Sequence, residues 1–483
     1  MQTKTGPFRM LINGVLTEGA SSMAVINPSS GQVLAHSPRA SEEQVEQAIL
    51  AASGSYCMWS RTPLEQRRET LRRIADTIER HAGELARLLT QEQGKPLKDA
   101  LDEVQGSAAF FRYAAQAQFG ARTLEDSDTR HAVLLRRPLG VVAVITPWNF
   151  PLLLLAFKVP HALLAGNTVV IKPAATTPLS TLLLGQLIAD TVPAGVINVV
   201  SDKNDLGDLL TSHPLVAKIS FTGSTATGYK VMANAAKSLK RLTLELGGND
   251  PGIVLDDADP VRIAPGIIRA AFFNSGQACI ALKRLYVHSS LYDRLCEELV
   301  RLAEAIVLGD GLDPMTMQGP LQNQQQYQKV NELLGDACRH GRLLCGGPVP
   351  DSQGYFIRPA LVADVQDGVR LVDEEQFGPV LPLIRYTDLD EAVARANDSQ
   401  YGLGASVWSA NTERAVAVAS QLVAGTVWIN QHIDLGPHIP QSGAKRSGFG
   451  IELGEEGLLE FTQAQVINIK NEGGNAHPKG GRR

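Results

Sequence analysis

From Ser41 to about Phe119, the apolar residues Leu71, Ile74, Ala75, Ile78, Leu85, Leu88 and Leu89 recur at three- and four-residue steps. This spacing puts them on one stripe of a helix, so the segment reads as an amphipathic helical layer. Ser41 with Gln44 and Thr62 with Glu65 have capping-box spacing, and Pro63 falls at a first helical position, where its missing N–H costs nothing. From Gly140 the pattern changes to short, apolar, β-branched runs: Val141–Ile145, Thr168–Ile171, Val196–Val200, Lys218–Phe221 and Leu242–Leu244. Strands covered on both faces have this composition. The pieces between them (152–164, 179–191, 206–210 and 225–236) are long enough for crossover helices. The region therefore predicts βαβ units in a doubly wound parallel sheet. Ligands of such sheets bind at the C-terminal strand ends, here 146–151, 172–175, 220–228 and 245–248. A second α/β unit is expected from about Gly252, with 266–274 helical and 284–288, 380–384 and 425–429 extended.

The chain has 483 residues, or about three domain-sized units. Forty-five Lys and Arg against 50 Asp and Glu, without long runs of one sign, leave no basic field for phosphates, so nucleic acid is not expected as a partner. The longest apolar stretches fall far short of the roughly 20 residues that span a bilayer, so no membrane partner is expected. The N-terminus shows no export signal. Five cysteines, an odd number without metal-ligand spacing, favour free thiols in a reducing cytoplasm and no metal site. The last residues, 471–483, lack an apolar anchor and are expected to be disordered.

Four strand-end segments carry candidate chemistry. Phe221-Thr-Gly-Ser-Thr-Ala-Thr-Gly228 ends a strand and opens a helix, where free N–H groups can hold a phosphate, although its G-x-x-x-x-G spacing also suits an ordinary turn. Cys279, beside Gly276 in Asn274-Ser-Gly-Gln-Ala-Cys-Ile280, is a small buried hydrophobe or a nucleophile. Glu245 in Glu245-Leu-Gly-Gly248 is a solvated strand-end residue or a base. Asn149 in Pro147-Trp-Asn-Phe-Pro151 offers a neutral donor suited to an oxyanion.

Taken in order, Pro147-Trp-Asn-Phe-Pro151, Ile171-Lys-Pro173, Phe221-Thr-Gly-Ser224, Glu245-Leu-Gly-Gly248, Gly276-Gln-Ala-Cys279 and Glu374-Glu-Gln-Phe-Gly-Pro379 resemble the motif series of the NAD(P)-dependent aldehyde dehydrogenases. The resemblance spans the chain from about Ile26 to about Thr462. It implies an NAD(P)-binding domain over 1–118 and 138–246 and a catalytic domain over 247–440. An oligomerisation element over 119–137 and 455–470 implies a homodimer or homotetramer. Cys279 then resembles the nucleophile and Glu245 the base for the deacylating water. Asn149 and the Cys279 backbone N–H match the oxyanion site, and Lys158 and Glu452 the positions of further proton-relay groups. For the nucleotide, the resemblance implies Thr146, Pro147, Trp148, Lys172, Ala175, Gly223, Ser224, Leu246, Glu375 and Phe377. For the aldehyde pocket it implies Phe150, Leu154, Phe157, Ile280 and Gln441.

The chemistry so implied is thiolate attack on an aldehyde, oxidation of the thiohemiacetal to a thioester, and hydrolysis to the carboxylic acid. Glu245 argues against a coenzyme-A-acylating semialdehyde dehydrogenase, which needs no base for water. Cys279, Glu245 and Asn149 together argue against a catalytically silent binding or structural homologue. Two departures stand out. The family's Pro-Phe-Gly-Gly is Pro440-Gln-Ser-Gly443 here, which makes one pocket wall polar and leaves the aldehyde unspecified. Ala175 stands where NAD-selective members often place an acid, so use of both NAD and NADP is expected.

Overall fold

The apolar runs form strands where their composition places them. The computed structural model describes residues 7–118, 120–350 and 352–471; the segment 472–483, expected to be disordered, lies outside the described residues. Val141–Ile145, Thr168–Lys172, Ile197–Val199, Val216–Thr222 and Arg241–Glu245 pair in parallel, and Val141–Ile145 is buried throughout because helices cover both faces. Val141–Ile145 lies between Thr168–Lys172 and Val216–Thr222, so strand order reverses beside it. Such a switch point opens a crevice between strand ends. The sheet has eight strands, and its antiparallel edges come from Met10–Ile12 with Val15–Thr17 and from Gly448–Phe449. The hydrophobic pattern does not reveal these edges, because two or three residues are too few to show a period.

The second unit is a seven-stranded sheet in the order Arg342–Pro348, Ile357–Ala363, Val380–Tyr386, Leu282–His288, Asp250–Val254, Gly404–Trp408 and Thr426–Ile429. Only its first pair is antiparallel. The helix ahead of Cys279 begins earlier than expected, at Pro260, because the Asp259 side chain caps it.

The helical layer consists of Glu42–Arg61, Leu64–Arg80, Ala82–Gln93 and Leu97–Ala114. Ser41 and Gln44 form the expected capping box. Thr62 does not cap the next helix. Its hydroxyl donates to the Met58 carbonyl at 3.1 Å, and Pro63 takes the N-cap place without a side-chain hydrogen bond. The two helices nearly abut, so the hydroxyl meets the finishing helix's carbonyl before the next helix's N–H groups.

Arg122–Asp126, Arg130–Pro138 and Thr462–Lys470 form a separate three-stranded sheet that exposes Leu124, Val466 and Ile467. Among the described residues, no helix is long and apolar enough to cross a membrane.

Candidate active site

Cys279 follows a sharp backbone reversal. The helix Pro260–Phe272 stops, Asn274 and Ser275 turn left-handed at φ 50° and 57°, and Gly276 follows at φ +69°. A Cβ on Gly276 would collide with the Gly378 carbonyl, so only glycine lets the Glu374–Pro379 segment press against the turn. Lys283 fixes the same contact electrostatically. Its Nζ donates to the carbonyls of Ala278, at 2.9 Å, and Cys279, and lies 3.7 Å from Glu375.

Cys279 lines two cavities at once. One, of about 380 Å³, is walled by Phe150, Leu154, Phe157 and Ile280, with Phe110 and Phe273 completing an aromatic lining. Its polar lining comprises Glu245, Gln441, Asp99, Asp102, Glu103, Arg269 and Asp434. The other, of about 170 Å³, is lined by the strand ends Pro147, Trp148 and Asn149 on one side and Gly223, Ser224 and Leu246 on the other. Glu375 and Phe377 close it from the second unit. A larger cavity of about 460 Å³ contains Cys345, whose thiol burial pushes up to about 11. Glu304 lines that cavity and adds slightly to the rise, but none of the motif residues lines it.

Glu245 ends its strand with 5% of its surface exposed, and neither carboxylate oxygen has a hydrogen-bond partner among the described residues. Burial pushes its pKa up to about 7, the negative Glu452 adds to the rise, and Lys158 opposes it. The Cys279 thiol and Thr222 hydroxyl stand near enough to lower it slightly without reaching hydrogen-bond geometry. The same burial, with the charge of Glu245, drives the Cys279 thiol well above its ordinary range. The thiol thus holds its proton at rest, beside a carboxylate that accepts one near neutrality. Lys158 and Glu452 form a buried ion pair that lines neither cavity and acts on Glu245 through its charges.

Asn149 is buried, and its Nδ2 donates to the Gln277 carbonyl at 2.9 Å, which leaves a second amide N–H. Its own carbonyl accepts from Lys95 Nζ at 2.9 Å and from Asn274 Nδ2 at 3.1 Å. Lys95 pairs with Glu103, which also accepts from the N–H groups of Leu152 and Leu153. The helical layer thereby holds the Pro147–Pro151 loop from behind. Sequence reasoning missed Lys95, Glu103 and Lys283. Their only signal is a charged residue inside an otherwise buried element.

The smaller cavity suits a nicotinamide dinucleotide. Ser224 caps the helix Thr225–Ala236, accepting from Thr227 N at 3.3 Å, so free N–H groups stand at the switch point. The hydroxyl of Thr222, which lines the cavity, is buried and has no hydrogen-bond partner among the described residues. A Cβ on Gly247 would press on the Glu375 carboxylate and the Thr225 hydroxyl, so the bare backbone keeps the cleft open. Glu375 accepts from Gly248 N at 2.9 Å, and Trp148 meets Phe377 edge-on at 5.3 Å. Thr146 is buried at the head of the same loop but does not line the cavity.

Lys172 and Ala175 line neither cavity and lie at the end of the neighbouring strand. Position 175 carries no acid, but Asp202 does, pairing with Lys172 Nζ at 2.7 Å. Among the described residues, no group of three or more potential metal ligands occurs.

The sequence profile of the Aldehyde dehydrogenase family matches residues 15–467. A phenylacetaldehyde dehydrogenase of Pseudomonas fluorescens is 40% identical over 96% of this chain and 96% of its own length. An NADP(+) succinate-semialdehyde dehydrogenase of Escherichia coli (strain K12) is 38% identical over 95% of this chain and 97% of its own. The crystal structure of a betaine aldehyde dehydrogenase from Staphylococcus aureus in complex with NAD+ superposes with a TM-score of 0.93, at 33% identity, over 99% of this chain and 98% of that one. With ordered motifs, a thiol shared by two cavities and likeness over the whole chain, the protein belongs to the aldehyde dehydrogenase family.

Proposed function

We propose that the protein carries out its family's NAD(P)-dependent oxidation of an aldehyde to the carboxylic acid, with Cys279 as nucleophile and Glu245 as base. The carrying observation is the place of Cys279 between an apolar cavity that suits an aldehyde and a strand-end cleft that suits a dinucleotide. Glu245 takes the thiol proton, the sulfur adds to the carbonyl carbon, and Asn149 and the Cys279 N–H hold the resulting oxyanion. A preorganised donor of this kind is worth about 3–4 kcal/mol of transition-state stabilisation. Ser224, Glu375 and Phe377 would hold the nucleotide beside the thiol, where its nicotinamide would accept the hydride whose loss turns the thiohemiacetal into a thioester. Glu245 releases the first proton to solvent, then deprotonates a water that attacks the thioester, and returns that second proton to the departing sulfur so that the acid leaves and the thiol reforms. Burial chiefly raises the proton affinity of Glu245, and Glu452 and Lys158 adjust it in opposite directions.

The doubly wound unit, 1–118 with 138–246, takes the nucleotide in this reading, and 247–440 carries the nucleophile. The exposed Leu124, Val466 and Ile467 of the three-stranded sheet support docking to a second copy, giving a homodimer or homotetramer. Cysteines without disulfides support residence in the cytoplasm.

A panel of aldehydes with NAD+ or NADP+, run with and without coenzyme A, tests the reading. Reduced nucleotide and free acid should form without coenzyme A. A strict requirement for it would make the protein an acylating enzyme instead, and no reduction at all would mark a silent homologue.

A further inference from the structure

Gln441 interrupts the aromatic wall of the cavity of about 380 Å³ that Cys279 lines. It lines that cavity with only 5% of its surface exposed, and its Oε1 has no hydrogen-bond partner among the described residues. The backbone leaves it little choice of place, because Gln441 pairs with Glu452 in a two-residue antiparallel ladder. Burying an amide without a partner is unfavourable, and an apolar side chain would fill the same wall without that cost. The same cavity is lined by the rings of Phe110, Phe150, Phe157 and Phe273, none of which can satisfy the amide oxygen, and by the carboxylates of Asp99, Asp102, Glu103, Glu245 and Asp434, which when ionised cannot donate to it.

We infer that Gln441 is a specificity-determining residue that selects an aldehyde whose apolar or aromatic body carries a hydroxyl group. The inference rests on the aldehyde-oxidising reading above. A hydroxyl both donates and accepts, so it meets either end of the amide, and it adds too little volume to disturb the aromatic lining. A substrate carboxylate would face those rings without a cation against it, since Arg269, the one basic residue lining the cavity, is exposed. A substrate without a polar group leaves the amide unpaired, and sites of this kind discriminate through that penalty.

The test compares kcat/KM for ring-hydroxylated phenylacetaldehydes, at each ring position, with their methyl twins of nearly the same shape. The wild type should favour at least one hydroxy isomer by roughly tenfold to a hundredfold. Gln441→Leu should erase that ratio. Gln441→Asn, which keeps the amide but withdraws it by one methylene, should reduce it mainly through KM. Equal rates for every hydroxy and methyl pair, or a ratio that survives in Gln441→Leu, overturn the inference. So does a loss in Gln441→Leu that is equal for all aldehydes, because the amide would then serve the hydrolytic water beside Glu245. Nucleotide reduction without discrimination leaves the oxidation reading standing. No reduction with any aldehyde overturns both.

Discussion

Two carboxylates flank the thiol, and the protein treats them differently. Glu245, in the cavity of about 380 Å³, ends a strand with both oxygens unpartnered among the described residues and a pKa pushed up to about 7. Glu375, in the strand-end cleft, accepts from the Gly248 N–H and sits 3.7 Å from Lys283. Burial raises its pKa as well, but Lys283 and the Gly248 N–H pull it back. The tethered carboxylate is held in one place as a fixed acceptor, whereas the untethered one can change protonation. Glu375 is also the more exposed of the two, its side chain 15% exposed, so partners and solvent access together decide whether a carboxylate binds or reacts.

The largest expected effect tests the thiol both cavities share. Cys279→Ala should lower aldehyde oxidation by several powers of ten, whereas Cys57, Cys296, Cys338 and Cys345 should each tolerate alanine. Near-normal turnover in Cys279→Ala would dissolve the comparison.

The next effect falls on Glu245. Stopped-flow measurement on Glu245→Gln should show reduced nucleotide rising more slowly than in the wild type, because the thiol has lost its neighbouring base, yet still reaching close to one equivalent per site before turnover that is slowed about a thousandfold. In the wild type the hydrolytic rate should fall about tenfold per pH unit below about 7, as Glu245 gains its proton, and this limb should vanish in the variant. Stability runs the other way. A carboxyl that ionises near 4.5 when unfolded and near 7 when folded contributes stability at low pH, and that contribution is lost as pH rises through this window. Glu245→Gln should therefore unfold at a higher temperature than the wild type above pH 7. Glu375→Gln should show neither the burst nor the altered limb, and its loss should appear in the KM for nucleotide.

A smaller effect sharpens the cause. Lys158 lowers the Glu245 pKa and Glu452 raises it, so Lys158→Met should move the pH limb upward and Glu452→Gln downward. Lys158→Met also strands a buried charge, which should cost about 3–5 kcal/mol in denaturant unfolding. Limbs that stay put in both variants would mean burial alone tunes Glu245.

The smallest effect concerns the adenosine end. Asp202 neutralises Lys172, and Ala175 adds no repulsion, so specificity constants for NAD+ and NADP+ should differ by no more than about a hundredfold. Ala175→Glu should raise the KM for NADP+ about tenfold and barely alter that for NAD+. An unchanged ratio would place the discriminating group elsewhere.

Much of this was legible in the sequence, for physical reasons. Strands buried on both faces are apolar at every position, so Val141–Ile145 showed itself without a structure. Motif residues such as Asn149 and Cys279 lie at strand and helix ends, where short sequences fix backbone shape. The supports of the site were not legible. Lys95 and Lys283 act on backbone carbonyls, which carry no residue identity, and Lys158 meets Glu452 across 294 positions of chain. Gln441 was legible as a departure, but its burial was not. A loop glutamine is ordinarily solvated, and only the ladder with Glu452 turns it inward.

The strand Gly448–Phe449 pairs with the strand that ends in Glu245, and Leu246 N donates to the Ser447 carbonyl at 2.9 Å. A nascent chain therefore makes its nucleophile and its base long before it makes the edge beside them. During synthesis the sheet ends unpaired at Arg241–Glu245, and Lys158 waits without its counter-charge until Glu452 emerges. The reaction centre is complete only after Gly448–Glu452 has been made, and a chain cut short before that strand would keep an open edge at Arg241–Glu245 and leave Lys158 without its counter-charge.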